Sequence, residues 1–128
     1  MRPAMRILLT EDDEAVRAFV SRALELDGHG VDTACDGVEA LELLESNDGA
    51  YDLLVSDVKM PVMDGIALAH SVAERWPGTR ILLMTGFADQ RERAEDLSKV
   101  IRDVVTKPFT LQEIREAVIG AGEDKDAA

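Results

Sequence analysis

The sequence predicts an α/β domain: one doubly wound, five-stranded parallel sheet with helices on both faces. Three observations carry this. Short apolar runs that stop abruptly at polar residues recur at residues 6–10, 51–56 and 80–84, as expected of strands buried on both faces. Between them lie segments whose apolar residues recur three and four apart, the spacing of amphipathic helices. Strand and helix alternate along the chain, the order that parallel strands with helical crossovers require.

Taken in order, the first strand is Arg6-Ile7-Leu8-Leu9-Thr10. Val16, Phe19, Val20, Ala23 and Leu24 mark the first helix, with Asp13 placed to cap it and Gly28 beyond its end. Gly30-Val31-Asp32-Thr33-Ala34 is a weaker second strand, and Val38, Leu41 and Leu44 mark the second helix. The third strand covers residues 51–56; Ile66, Ala69, Val72 and Ala73 give the third helix, capped by Asp64 and closed by Pro77-Gly78. After a fourth strand at residues 80–84 comes a fourth helix over residues 89–98, whose apolar anchors are only Ala94 and Leu97. Weak tertiary burial makes it the helix expected to open locally or to face a partner. Residues 101–105 supply the second weak strand, and Thr110 caps a fifth helix. Right-handed crossovers and this element count favour the flavodoxin-like strand order 2-1-3-4-5, taken by analogy. One domain is expected over residues 1–120, with a small, polar, disordered tail over residues 121–128.

A chain of 128 residues, 46% hydrophobic and 31% charged, has the makings of one folded domain and excludes disorder for its bulk. Its net charge of −12 at pH 7 sets up a field that repels phosphate backbones and anionic lipid. Neither nucleic acid nor membrane is an expected partner. No apolar run approaches the roughly 20 residues that cross a bilayer, and Met1-Arg2-Pro3-Ala4-Met5-Arg6 is not a signal peptide. A cytoplasmic location is therefore expected. A single cysteine, Cys35, excludes an internal disulfide and a Cys-based zinc site.

In open parallel sheets the ligand site lies beyond the carboxyl ends of the strands. Glu11-Asp12-Asp13-Glu14 follows the first strand, Asp57 the third, Thr85-Gly86 the fourth and Lys107-Pro108 the fifth. These strands are neighbours in the expected order, so the groups meet at one edge. Two carboxylates about 4 Å apart repel by about 4 kcal/mol at an effective dielectric near 20. A cation belongs among them, and oxygen donors without His or Cys point to a hard divalent ion such as Mg²⁺. Any one acid here has a plainer alternative as a helix cap, Asp13 above all. That alternative does not bring Asp57 and Lys107 to the same edge. Thr85 as a turn residue and Lys107 as a solvated charge are the corresponding plain readings of those two. His29, between two glycines, and His70, on a helix, are read as neither ligands nor bases. Cys35 and Trp76 are read as packing residues, as are Met60 and Met63 in the loop over the site.

Four segments together, Thr10-Glu11-Asp12-Asp13-Glu14-Ala15-Val16-Arg17, Ser56-Asp57-Val58-Lys59-Met60-Pro61-Val62-Met63-Asp64-Gly65, Met84-Thr85-Gly86 and Thr106-Lys107-Pro108-Phe109, resemble the receiver domains of bacterial two-component response regulators. The likeness covers nearly the whole chain. It implies that Asp57 accepts a phosphoryl group from a phosphohistidine on a sensor histidine kinase or histidine phosphotransferase. It implies Glu11 and Asp12, counted back from Arg17, as the acids that hold Mg²⁺ with Asp57 and the main-chain carbonyl of Lys59, leaving Asp13 as a cap. Mg²⁺ and Lys107 then supply positive charge to the phosphoryl oxygens, Thr85 donates a hydroxyl hydrogen bond and Gly86 leaves room. A cis bond before Pro108 is implied as well.

Receivers generally signal to a downstream effector through the fourth helix, fifth strand and fifth helix. One departure stands out: Val104 occupies the place where the family often carries a Tyr or Phe that reorients with the Thr, and Phe87 is a substitute to consider. The chain resembles the stand-alone, CheY-like regulators: a monomer or weak dimer without an output domain, which catalyses only its own phosphorylation and dephosphorylation. Two other classes use the same sheet. A flavodoxin-like module would hold a phosphorylated cofactor, but Glu11, Asp12 and Asp13 would repel it. A Mg²⁺-dependent phosphatase with an Asp nucleophile would turn over small phosphate esters.

Overall fold

The structure is a computed structural model that describes residues 4–60, 62–86 and 100–123. Strands β1 (Arg6–Thr10), β2 (Gly30–Ala34), β3 (Leu53–Asp57), β4 (Arg80–Thr85) and β5 (Asp103–Thr106) form one parallel sheet in the order β2-β1-β3-β4-β5. The helices are α1 (Glu14–Leu26), α2 (Gly37–Ser46), α3 (Gly65–Arg75) and α4 (Leu111–Gly122), the last being the fifth helix expected from the sequence. Both the fold class and the strand order match the expectation.

Side-chain alternation along the strands divides the core in two. Ile7, Leu9, Leu53 and Val55 face Val20, Ala23 and Leu24 of α1 and Ile114, Val118 and Ala121 of α4. Leu8, Leu54, Ile81 and Leu83 face Ala40 and Leu44 of α2 and Leu68, Ala69 and Val72 of α3. The three central strands are covered on both sides, which is why they read as unbroken apolar runs. Edge strands β2 and β5 are only partly buried and carry Asp32 and Asp103, polar residues that discourage further strand addition.

Helix starts follow local hydrogen-bond chemistry. Asp13 Oδ1 accepts the Ala15 and Val16 amides, Asp64 the Ala67 amide, and Thr110 forms a reciprocal capping box with Glu113. Asp36 caps α2 through the Glu39 amide.

Several boundaries differ from the expectation. β3 begins at Leu53, with the Asp52 carboxylate accepting the Arg6 amide at 2.8 Å just ahead of it, and the strand continues through Asp57. β5 begins at Asp103; Ile101 is buried in the core ahead of the ladder. α4 continues to Gly122 with Ala121 buried, beyond the boundary at residue 120. Cys35 is exposed, its Sγ 3.0 Å from Glu39 Oε2, so it is not the packing residue expected. The expected helix over residues 89–98, Phe87, and residues 124–128 of the expected tail lie outside the described residues. Among the described residues no helix is long and apolar enough to cross a membrane.

Candidate functional site

The site is assembled where the central strands end. Glu11 leaves β1 with its amide donating to the Ala34 carbonyl at 3.1 Å, which pins it beside β2. Asp57 is the last residue of β3, opposite Met84, and the next amide, Val58, donates to the Met84 carbonyl at 2.9 Å. Because β1 and β3 are paired, acids 46 positions apart in sequence converge. One oxygen from each of Glu11, Asp12 and Asp57 lies within 4.8 Å of the others. Glu11 is fully buried, Asp57 is 6% exposed, and Asp12 is open to solvent.

Lys107 reaches the cluster from the end of β5. Its Nζ stands 2.6 Å from Glu11 Oε1 and 3.3 Å from Asp57 Oδ2. The Lys107 amide donates to the Thr85 carbonyl at 2.7 Å, which joins the end of β4 to the loop that carries the lysine. Thr85 is fully buried. The Lys107–Pro108 peptide is cis, as the resemblance implied. Lys59, exposed, follows Asp57 by two positions in the loop toward α3.

The charges respond to this crowding. Burial pushes Glu11 up to about 7; the Lys107 and Asp13 hydrogen bonds oppose the rise and the Asp57 charge adds to it. Burial pulls the Lys107 ammonium down, but its bond to Glu11 and the two carboxylate charges outweigh that, and the net direction is upward. Lys107 is therefore firmly cationic at neutral pH, shared between two acids.

Close packing holds Asp57 in register. A Cβ on Gly65 would fall 2.1 Å from the Asp57 carbonyl oxygen, and the Gly65 amide donates to the Val58 carbonyl at 2.8 Å. Asp64-Gly65 thus lets α3 start directly against the strand end. Asp13, as expected, caps α1. Met60 and Met63 pack into the core beneath the loop. Buried His29 accepts the Met5 amide at 2.9 Å through Nδ1 and lies apart from the acid cluster. A cavity of about 540 Å³ opens between α1 and the loop after β5, running from Phe19 and Phe109 to Lys107.

Sequence reasoning did not assign a task to Arg17, whose Nη1 donates to the Glu11 carbonyl at 2.8 Å. A side chain bonding to a carbonyl leaves no residue-type pattern beyond its spacing from the acids.

The response regulator receiver domain family model matches residues 7–119. Response regulator MprA of Mycobacterium avium (strain 104) is 38% identical over 110 residues, which are 86% of this chain and 47% of MprA. The chain thus spans about half the length of that relative. Among solved structures, chemotaxis response regulator CheY4 of Vibrio cholerae superposes with a TM-score of 0.79 at 28% identity, covering 91% of this chain and 97% of that one. TrrA of Thermotoga maritima, a response regulator solved in complex with Mg²⁺-BeF, gives 0.76 at 30% identity, covering 88% and 95%. The match runs from the first strand into the last helix, and the chain belongs to the response regulator receiver domain family of two-component signalling.

Proposed function

We propose that Asp57 accepts a phosphoryl group from a phosphohistidine of a sensor histidine kinase or histidine phosphotransferase. Glu11, Asp12, Asp57 and the main-chain carbonyl of Lys59 would hold a Mg²⁺ ion beside it. The observation that carries this reading is the convergence of three carboxylates and one lysine on a buried strand end. Three acids against one ammonium leave the cluster short of positive charge. Its donors are all oxygen, the set preferred by a hard divalent ion. MprA, CheY4 and TrrA are response regulators, and the TrrA structure carries Mg²⁺.

A divalent ion there would offset the carboxylate repulsion and draw charge from the phosphoryl oxygens. The remaining steps belong to the chain itself. An Asp57 carboxylate oxygen attacks phosphorus, the P–N bond to the donor imidazole breaks, and its electron pair returns to the ring nitrogen. Lys107, held cationic by its neighbours, stands close enough to Asp57 to pair with an equatorial phosphoryl oxygen. The Thr85 hydroxyl supplies a hydrogen bond to a second oxygen, and Gly86 leaves space for the incoming group. The cavity beside Lys107 borders the donor's approach. The bound phosphoryl group adds charge and acceptor oxygens, drawing Thr85 and Lys107 toward it and biasing the loops beyond β4 and β5. The change is passed to an effector protein over the face that includes β5 and α4.

Incubation with acetyl phosphate and Mg²⁺ tests the reading by intact mass. One added phosphoryl group is expected on the wild type and none on Asp57→Asn or on wild type in EDTA. Equal labelling of Asp57→Asn would place the acceptor elsewhere.

A further inference from the structure

The peptide between the first two acids of the site is held by a side chain from outside the cluster. Arg17, half-buried near the start of α1, donates from Nη1 to the Glu11 carbonyl at 2.8 Å. Glu11 is fully buried, so that carbonyl has no access to bulk water. Strand β2, which accepts the Glu11 amide at Ala34, ends at that residue. A peptide group is planar. Fixing the Glu11 carbonyl therefore fixes the Asp12 amide, and with it the directions in which the two carboxylate arms leave the chain. The other ties of this loop act one residue later: the Asp13 amide donates to Glu11 Oε2 at 3.1 Å, and Asp13 Oδ1 caps α1. They hold Asp13 and, with Lys107, the Glu11 carboxylate; among the described residues the side chain that holds the Glu11–Asp12 peptide is Arg17.

Resting on the reading of Glu11, Asp12 and Asp57 as cation ligands, we propose that Arg17 is a positioning residue for the cation site. Its guanidinium locks the Glu11–Asp12 peptide so that both carboxylates are aimed at Asp57 and cation binding needs little reorganisation. A planar, permanently charged fork does this better than a flexible ammonium. Residues that orient metal ligands without touching the metal commonly change affinity by 10–100-fold.

Mn²⁺ alone is the probe, with the free ion counted by electron paramagnetic resonance against the whole chain. Arg17→Met keeps the stem and removes the donor; its Kd should weaken about tenfold while its circular dichroism stays that of the wild type. Arg17→Lys keeps the charge on a single nitrogen and should fall between the two. Arg22→Met removes the same charge from an exposed position on α1 and should bind as the wild type does. An arginine with a merely structural role would lower the unfolding midpoint and leave Kd alone. Wild-type affinity in Arg17→Met overturns the proposal, and so does an equal loss in Arg22→Met, which would trace the effect to bulk charge. If Arg17→Met does not fold, Arg17→Lys decides: weaker binding supports the proposal and wild-type affinity overturns it. Asp12→Asn separates the two levels. A wild type that binds no Mn²⁺, or an Asp12→Asn variant that binds it equally well, removes the cation site and the role of Arg17 with it. Binding that needs Asp12 and ignores Arg17 removes only the latter.

Discussion

Burial acts on single side chains through the partner each one finds, and Tyr51 and Glu11 show two outcomes. The Tyr51 ring is 4% exposed; its hydroxyl donates to Asp32 Oδ2 at 2.7 Å and accepts from Asn47 Nδ2 at 3.2 Å. Burial first, and then the Asp32 carboxylate, push the phenol up to about 12. The folded state thus keeps a proton that the unfolded chain releases near about 10. This contribution to stability is fully present below the unfolded value and is lost as pH rises through the folded one. Tyr51 is the only tyrosine, so phenolate absorbance reports it alone. The folded protein should titrate near 12 and the urea-unfolded chain near 10, and Tyr51→Phe should remove the alkaline loss of stability. A folded midpoint near the unfolded one would contradict the buried pairing with Asp32. Glu11 is more deeply buried and burial raises it too, to about 7, but it faces the Lys107 ammonium, whose hydrogen bond opposes the rise.

Among the elements, the junction of β3 with α3 leaves little tolerance. The helix begins so close to Asp57 that Gly65 has no room for a side chain, and the obstruction is backbone rather than a flexible tip. Gly65→Ala should cost roughly 1–3 kcal/mol by overpacking and should lower phosphoryl uptake by shifting Asp57. Gly78→Ala, whose Cβ would meet nothing within 4 Å, is the control. Urea denaturation and acetyl phosphate labelling measure the two effects; an indifferent Gly65→Ala would contradict the close approach. The central strands were readable from sequence because burial on both faces leaves only apolar residues, as in Ile7-Leu8-Leu9 and Leu53-Leu54-Val55. Ends were less so. Tyr51 and Ile101 are buried and look like strand residues, yet they pack outside the ladder. Phe19, spaced for the core of α1, is 40% exposed, with its ring centroid 6.4 Å from that of Phe109.

For the whole molecule, strand order decides which residues can meet. Placing β1 between β2 and β3 sets Glu11 and Asp12 beside Asp57, and placing β4 and β5 beyond β3 brings Thr85 and Lys107 to the same end. That meeting was legible from the acids and the lysine following successive strands. The sharing of Lys107 between Glu11 and Asp57, and the hold of Arg17 on the Glu11 carbonyl, were not, because both depend on side-chain paths that spacing does not encode. With a net charge of −12, the protein has many acidic places that attract a cation weakly, so location is the decisive observable. Diffraction from crystals grown with Mn²⁺ measures it most directly. An anomalous peak bounded by the carboxylates of Glu11, Asp12 and Asp57 is the expected result, absent in Asp12→Asn; a wild type with no peak there, or with Mn²⁺ bound only elsewhere, would contradict the cation-assisted phosphoacceptor site.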